Sequence, residues 1–193
     1  MFKDKSLKLL LEFFKNNSPC AIAVSGGADS GALLAFGAKT GASVGAYTVI
    51  SALTPSAEKE KSGKLCEILG VPHKFITVQD SSLSEVFKNL PERCYECKKK
   101  IFSLIREKAF SDGYVSVAEG SNADDLDDYR PGMRALKELG IKSPLLEAGI
   151  FKKSVYAALR AERLDEFCDP PGACLATRFP CGTGFTKEDL VRT

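Results

Sequence analysis

The chain of 193 residues is long enough to bury the core of one full-sized domain, and its net charge is only +2. That charge is too small to indicate nucleic-acid binding by itself, because such binding needs a clustered basic face. No apolar run approaches the ~20 residues that cross a bilayer, and no signal-type cleavage site follows Met1, so we expect a cytoplasmic protein without a membrane partner.

Hydrophobic spacing predicts the secondary structure along the chain. Helices are predicted at 6–15, 29–39, 55–70, 83–89, 94–110, after Pro131 and at 151–163; strands are predicted at 20–24, 44–50, 73–78 and 114–119, with 142–146 as a candidate fifth strand. Because strands alternate with helices, we predict an α/β fold, a Rossmann-like parallel sheet of about five strands with helices on both faces. This domain is assigned to residues 1–165, and a short cysteine-rich segment to 166–193.

A glycine-rich turn follows the first predicted strand and opens the next helix; it comprises Ser25, Gly26, Gly27, Ala28, Asp29 and Ser30. Free backbone N–H groups and the positive end of a helix dipole favour a phosphate there, and the glycines allow close approach. The stretch, called the glycine turn below, has neither the Gly-x4-Gly-Lys-Ser/Thr nor the Gly-x-Gly-x-x-Gly pattern. It is therefore a candidate nucleotide site of another kind, with an ordinary strand-to-helix turn as the alternative.

Two further groups should lie near this turn, at the carboxyl end of the sheet. Asp124 and Asp125 follow the fourth predicted strand and can bind Mg²⁺, or they can form a helix cap with a solvated acidic face. Lys152 or Lys153, at the start of a later helix, can reach a released pyrophosphate, or both can simply face solvent.

Seven cysteines and one histidine leave sulfur as the main available chemistry. Cys168, Cys174 and Cys181 follow a C-x5-C-x6-C pattern, and three thiolates can hold a [4Fe-4S] cluster with one open iron. A zinc site completed by Cys94 or Cys97, or a single reactive thiol, remains an alternative. The C-x2-C pair itself can be a redox pair or a pair of metal ligands, or the two side chains can simply pack at the start of a helix.

Arg178 follows the second cysteine of this loop in the sequence. Its guanidinium can form a forked pair with a substrate phosphate or carboxylate, or it can make a structural salt bridge.

The Ser-Gly-Gly-x-Asp-Ser string resembles the signature of the PP-loop ATP pyrophosphatases. With four further strings, the chain resembles the LarE family of ATP-dependent sulfur transferases: Arg-Cys-Tyr-Glu-Cys-Lys at 93–98, Gly-Ser-Asn-Ala-Asp-Asp at 120–125 with Asp-Tyr-Arg-Pro-Gly at 128–132, Ser-Pro-Leu at 143–145 with Glu-Ala-Gly at 147–149, and Cys-Leu-Ala-Thr-Arg at 174–178. The matches run from about residue 20 to 184, and Thr177 stands where many members have serine.

The resemblance implies an adenine nucleotide alpha hydrolase-like fold and an enzyme that uses ATP, Mg²⁺ and a [4Fe-4S] cluster on the three late cysteines. The glycine turn and Asp124 would hold ATP and Mg²⁺, and Lys152 would contact pyrophosphate. A substrate carboxylate, in the family a pyridinium dicarboxylate mononucleotide for the nickel-pincer cofactor, would be adenylated and then thiolated.

LarE proteins continue into a longer C-terminal region that assembles oligomers, so the resemblance implies a homo-oligomer and suggests that 166–193 begins a shortened version of that region. Two alternatives remain at this point. One is a tRNA thiolase, which would need a basic patch, and the other is a non-enzymatic metal or cluster carrier with a disabled turn.

Overall fold

A computed structural model describes residues 4–127, 131–169 and 174–192. The helices are α1 (Asp4–Asn17), α2 (Ala28–Lys39), α3 (Ser56–Leu69), α4 (Ser84–Phe87), α5 (Arg93–Ser111), α6 (Pro131–Glu138), α7 (Pro144–Glu147), α8 (Lys152–Ala161) and α9 (Lys187–Arg192), and the strands are β1 (Cys20–Ala23), β2 (Val44–Ile50), β3 (His73–Thr77) and β4 (Ser116–Ala118). Residues 128–130 of the Asp-Tyr-Arg-Pro-Gly string and residues 170–173 of the cysteine loop lie outside the described residues. Among the helices described, none combines the length and apolarity that crossing a membrane requires.

The described strands form one parallel sheet in the order β3-β2-β1-β4. Helices pack on both faces of the sheet, so alternate residues of β1 enter different cores. Cys20 and Ile22 face one core, and Ala21 faces the other. The predicted α/β class is confirmed. β2 and β3 lie on one side of β1, and β4 lies on the other, so the strand order reverses at β1. The carboxyl ends of β1 and β4 therefore lie side by side at the point where a ligand site is expected.

The fifth predicted strand, at 142–146, is present only as an isolated bridge. Lys142 pairs with Ala118, donating its N–H to Val117 and accepting from the Glu119 N–H, both at 2.9 Å. Pro144 then begins α7, and proline at the first helical position favours helix over a longer strand. Among the described residues the sheet therefore has four strands where about five were predicted.

The C-terminal part of the chain contributes to a core of its own. Ala176, Phe185 and Leu190 are buried with Leu53, Val78, Leu83 and Val86 from the loops after β2 and β3 and from α4. Phe179 stacks on Phe185 with ring centroids 4.7 Å apart. Residues 174–192 therefore fold back against the ATP-binding domain predicted from the sequence, which places Cys174 beside the start of α5.

Candidate functional site

The glycine turn is closed by its own serines. Ser30 Oγ accepts from the Ser25 N–H at 3.2 Å and donates to the Gly27 carbonyl at 3.1 Å, and the two serine hydroxyls are 3.3 Å apart. Gly27 precedes α2, and Asp29 lies in the first turn of that helix. The turn thus presents hydroxyls and helix N-terminal N–H groups at the carboxyl end of β1, as the sequence predicts for a phosphate site.

Two glycines of the predicted motifs allow close backbone approaches. Gly26 has a φ of +80°, and a Cβ there would lie 2.7 Å from the Glu58 carbonyl oxygen of α3. Gly120 lies just after β4, and a Cβ there would lie 2.6 Å from Ser30 N. A side chain at position 120 would therefore separate the strings at 25–30 and 120–125, and one at position 26 would separate the glycine turn from α3.

Four predicted or motif residues from distant parts of the chain meet beside the glycine turn. Asp29 accepts from Asn122 Nδ2 at 3.0 Å and forms an ion pair with Lys152 Nζ. Asp124 Oδ2 accepts from the Lys152 backbone N–H at 2.6 Å, and the Asp124 N–H donates to Asn122 Oδ1 at 2.9 Å. We call Asp29, Asn122, Asp124 and Lys152 the acidic–lysine group.

A buried carboxylate just after β4 was not singled out from the sequence. Glu119 is only 6% exposed and accepts from the Ser121 N–H at 3.0 Å, the Ser121 hydroxyl at 2.8 Å and the Ser143 hydroxyl at 2.6 Å, with Lys98 Nζ at 3.7 Å. These bonds compensate for the burial of the carboxylate. The Ser-Pro-Leu string at 143–145 is thereby tied to β4, and this is a structural reason for a serine at its first position.

A cleft of about 550 Å³ connects the glycine turn with two cysteine-bearing segments. Its lining includes Ser25, Asp29 and Ser30, and we call this part the phosphate end. The lining also includes Arg93, Cys94, Cys97, Lys98 and Cys174, and we call this part the sulfur end. The cleft has room for a small ligand between a phosphate site and a set of thiols.

Cys94, Cys97 and Cys174, called the cleft thiols below, all line the cleft. Burial raises the pKa of Cys97 to about 12, and Cys174 and Cys94 contribute to that rise. Loss of hydration also raises the pKa of Cys174, although the residue is exposed, and Arg93 acts in the opposite direction. The structure thus brings Cys174 together with the C-x2-C pair.

The other two predicted cluster ligands lie elsewhere. Cys168 packs against α8, with its Sγ 3.9 Å from the Tyr156 carbonyl oxygen, and Cys181 is exposed beside Gly182, whose N–H donates to the Asn89 carbonyl. Neither lines the cleft, nor does the exposed Arg178. Across the described residues, no group of three or more His, Cys, Asp or Glu side chains is arranged to hold a metal ion.

Asn89 and Arg93 hold the returning C-terminal segment in place. The fully buried Asn89 amide donates to the carbonyls of Pro180 at 2.8 Å and Thr183 at 3.0 Å. Arg93 Nη1 donates to the Ala176 carbonyl at 3.0 Å. Asn89 was missed by the sequence analysis, because an isolated asparagine before Leu90 gives no signal of long-range bonding.

Comparison with solved structures shows the fold. NMN synthetase from Francisella tularensis aligns with a TM-score of 0.69 over 98% of this chain and 85% of that one, at 18% identity. An NH3-dependent NAD synthetase from Campylobacter jejuni aligns with a TM-score of 0.65 over 87% and 77% of the two chains, also at 18% identity. Both support the predicted PP-loop type of α/β fold. No model of a known protein family matches the chain.

Comparison with curated proteins gives the relatives in sequence. An uncharacterized protein of Synechocystis sp. is 34% identical over 98% of this chain and 71% of its own length. The pyridinium-3,5-bisthiocarboxylic acid mononucleotide synthase of Lactiplantibacillus plantarum, a LarE protein, is 30% identical over 95% of this chain and 67% of its own length. This identity, together with the glycine turn and the acidic–lysine group, shows that the chain belongs to the LarE family of PP-loop, ATP-using proteins.

Proposed function

We propose that this protein is an ATP-dependent sulfur transferase that adenylates a carboxylate of a small molecule and replaces the adenylate with sulfur. The observation that carries the proposal is the cleft, which has a phosphate-binding turn at one end and the cleft thiols at the other. Adenylation and sulfur addition need those two ends within reach of one acyl carbon. The name of the Lactiplantibacillus relative, a synthase of a bisthiocarboxylic acid mononucleotide, favours a pyridinium carboxylate as the substrate.

The glycine turn and the acidic–lysine group would bind ATP. Backbone N–H groups at the start of α2 and the Ser25 and Ser30 hydroxyls suit phosphate oxygens. Lys152 supplies the positive charge for the pyrophosphate that leaves, and its ion pair with Asp29 holds its amine at the turn until ATP arrives. The substrate carboxylate attacks the α-phosphorus, and pyrophosphate departs.

The acidic–lysine group also fits a magnesium ion that arrives with ATP. Asp29 and Asp124 offer hard oxygen ligands, and Mg²⁺ commonly takes one or two carboxylates together with phosphate oxygens. The ion would neutralise charge on the phosphates. Asp124 accepts a hydrogen bond from the Lys152 backbone N–H. A movement of the start of α8 would therefore move the magnesium ligand and the pyrophosphate lysine together.

Cys174 is the thiol we assign to sulfur delivery. Its side chain lines the cleft, and Arg93 anchors the short helix Leu175–Arg178 that follows it. Across the described residues, Cys168, Cys174 and Cys181 do not form a group that could hold a metal ion, and of the three only Cys174 lines the cleft. A thiol or persulfide nucleophile at Cys174 therefore accounts for the chemistry without a cluster.

The test is a product assay with ATP, Mg²⁺ and pyridinium-3,5-dicarboxylic acid mononucleotide. We expect AMP and pyrophosphate with the wild-type chain, together with a thiocarboxylate detected by mass spectrometry. Cys174→Ser should form AMP and pyrophosphate without incorporating sulfur, because adenylation uses the other end of the cleft. Release of ADP in place of AMP would contradict the proposal.

The same assay tests the sequence-based grouping of the cysteines. Cys168→Ser and Cys181→Ser are expected to keep sulfur incorporation, since neither thiol lines the cleft. If both substitutions abolish incorporation as Cys174→Ser does, the three late cysteines act together and the assignment to Cys174 alone is wrong.

A further inference from the structure

Among the described residues, four acidic side chains contribute to the lining of the cleft. Three of them, Asp29, Glu119 and Asp125, accept hydrogen bonds, Asp125 from the Asn122 N–H at 2.9 Å. The fourth is Glu58, in the first turn of α3. In the part of the chain that the structure describes, no hydrogen bond or ion pair reaches the Glu58 carboxylate. This is therefore the carboxylate of the cleft that is available to a ligand.

The backbone of Glu58 is held against the glycine turn. Gly26 has no side chain, and a Cβ there would lie 2.7 Å from the Glu58 carbonyl oxygen and 3.2 Å from Glu58 Cα. The Glu58 N–H donates to the Pro55 carbonyl at 3.0 Å, which closes the first turn of α3. The side chain that lines the cleft therefore extends from a backbone that the glycine turn fixes.

The position of Glu58 is unfavourable for an unpaired negative charge. Burial raises the pKa of Glu58, and Lys61, one turn further along α3, has the smaller opposite effect. Lys61 also pairs with Asp169, so its charge is shared with a second carboxylate. A partly buried carboxylate without a hydrogen-bond donor is stabilised when a cation enters the cleft beside it.

A pyridinium ring, as in the name of the Lactiplantibacillus relative, carries a fixed positive charge. Its nitrogen is bonded to the sugar of the mononucleotide and has no proton to lose, so the ring cannot become neutral when it leaves water. Its site needs an anion or the face of an aromatic side chain. Tyr47 and Phe102, the aromatic residues in the described lining, are buried in the core. An anion is therefore the better partner for the ring.

Resting on the sulfur transfer proposed above, we propose that Glu58 binds the cationic ring of the substrate and makes the enzyme specific for pyridinium carboxylates over neutral aromatic carboxylates. Neither charge is unpaired when the cationic ring occupies the cleft. A neutral ring would instead leave the Glu58 carboxylate without water and without a partner, and this penalty rejects it. Glu58 thus selects the substrate and takes no part in the bonds that break or form.

The experiment measures binding, so it depends neither on adenylation nor on sulfur. The full chain is titrated at neutral pH with N-methylpyridinium-3,5-dicarboxylate and with pyridine-3,5-dicarboxylate, which lacks the fixed charge, and calorimetry gives both affinities. Mg²⁺ and α,β-methylene-ATP, which cannot be cleaved between its α and β phosphates, occupy the phosphate end. We expect the wild-type chain to bind the methylated ring at least about tenfold more tightly, and Glu58→Gln to lose that preference.

Glu60→Gln is the matched control, because Glu60 is exposed on the same helix and lies outside the lining of the cleft. It removes the same charge from α3 and is expected to keep the full preference for the methylated ring. The proposal is overturned if the wild-type chain binds the two rings equally or binds neither. It is also overturned if the preference survives Glu58→Gln.

Failure of this inference is distinct from failure of the sulfur transfer. A chain that prefers the cationic ring but forms no AMP from the pyridinium mononucleotide contradicts the sulfur transfer and supports the ring site. AMP formation together with an unchanged preference in Glu58→Gln contradicts the ring site alone. Because burial disfavours the charged form of Glu58, we expect Glu58→Gln to be at least as stable as the wild-type chain, which thermal unfolding measures.

Discussion

The two ends of the cleft are held together by different means. At the phosphate end, the glycine turn and the loop after β4 are brought together by two adjacent strands and by the close approach of Gly120 to Ser30. At the sulfur end, Cys174 reaches the start of α5 only because the C-terminal segment folds back, held by the side chains of Asn89 and Arg93. One end depends on backbone topology and the other on a few side chains.

Because the two ends are held by different means, substitutions at each end should affect different half-reactions. A change at the phosphate end should abolish AMP formation, and sulfur transfer with it, because no acyl-adenylate is made. A change at the sulfur end should leave adenylation and lower sulfur incorporation alone.

Substitution of Lys152 should have the largest effect on catalysis. Lys152→Met removes the charge paired with Asp29 and keeps the length of the side chain, so we expect AMP formation to fall by about 10²–10³-fold in kcat. Steady-state release of pyrophosphate measures this. Lys153→Met is the matched control, because Lys153 is exposed and follows directly in α8, and its rate should stay within about twofold of wild type.

Gly120→Ala tests whether backbone contact holds the phosphate end together. The new Cβ would lie 2.6 Å from Ser30 N, a backbone atom that cannot rotate away, so we expect the free energy of unfolding to fall by about 3 kcal/mol. Chemical denaturation measures the loss. Gly63→Ala inside α3 is the control: its Cβ would meet only Phe75 at 3.8 Å, so the substitution should stabilise by up to about 1 kcal/mol.

Asn89→Gly tests the sulfur end. The substitution removes the bonds to Pro180 and Thr183 but keeps a residue that tolerates the observed φ of +54°, so we expect a loss of about 2 kcal/mol in unfolding free energy. Sulfur incorporation should fall more than AMP formation, because the segment that carries Cys174 loses the hydrogen bonds that hold it in place. A parallel fall in both activities would mean that the segment also supports the phosphate end.

Asn17→Ala provides the matched control for Asn89. The Asn17 side chain is partly exposed and donates within α1 to the Phe13 carbonyl at 2.8 Å. Its removal should cost about 0.5 kcal/mol or less, because water can replace the lost partner. The contrast between the two asparagines isolates the contribution of the long-range bonds.

The phosphate end was largely predictable from the sequence, whereas the sulfur end was not. Strand, glycine turn and helix follow one another locally, and parallel strands place their carboxyl ends together, so Asp29, Asp124 and Lys152 could be expected near one site. Cys174 was instead grouped with Cys168 and Cys181, its neighbours in sequence, and Cys94 or Cys97 entered only as a further ligand of an alternative zinc site. Its partners Cys94 and Cys97 are about 80 residues away, and only the folding back of the chain through Asn89 brings them near.

The smallest predicted effect concerns pH and the support beneath the glycine turn. The Thr48 hydroxyl donates to the Val24 carbonyl at 2.7 Å, so its oxygen must accept from His73 Nε2, which lies 2.8 Å away. This assigns the proton of neutral His73 to Nε2. Burial lowers the pKa of His73, because the charged ring would lose hydration.

A folded-state pKa below the unfolded value means that the unfolded chain binds the proton first as the pH falls. The contribution of neutral His73 is therefore complete above the unfolded pKa of about 6.5 and declines as the pH drops below it. We expect the thermal midpoint to fall between pH 7 and pH 5.5, and His73→Gln, which can still donate to Thr48, to show a smaller fall. An equal fall in both proteins would show that the acid sensitivity does not come from His73.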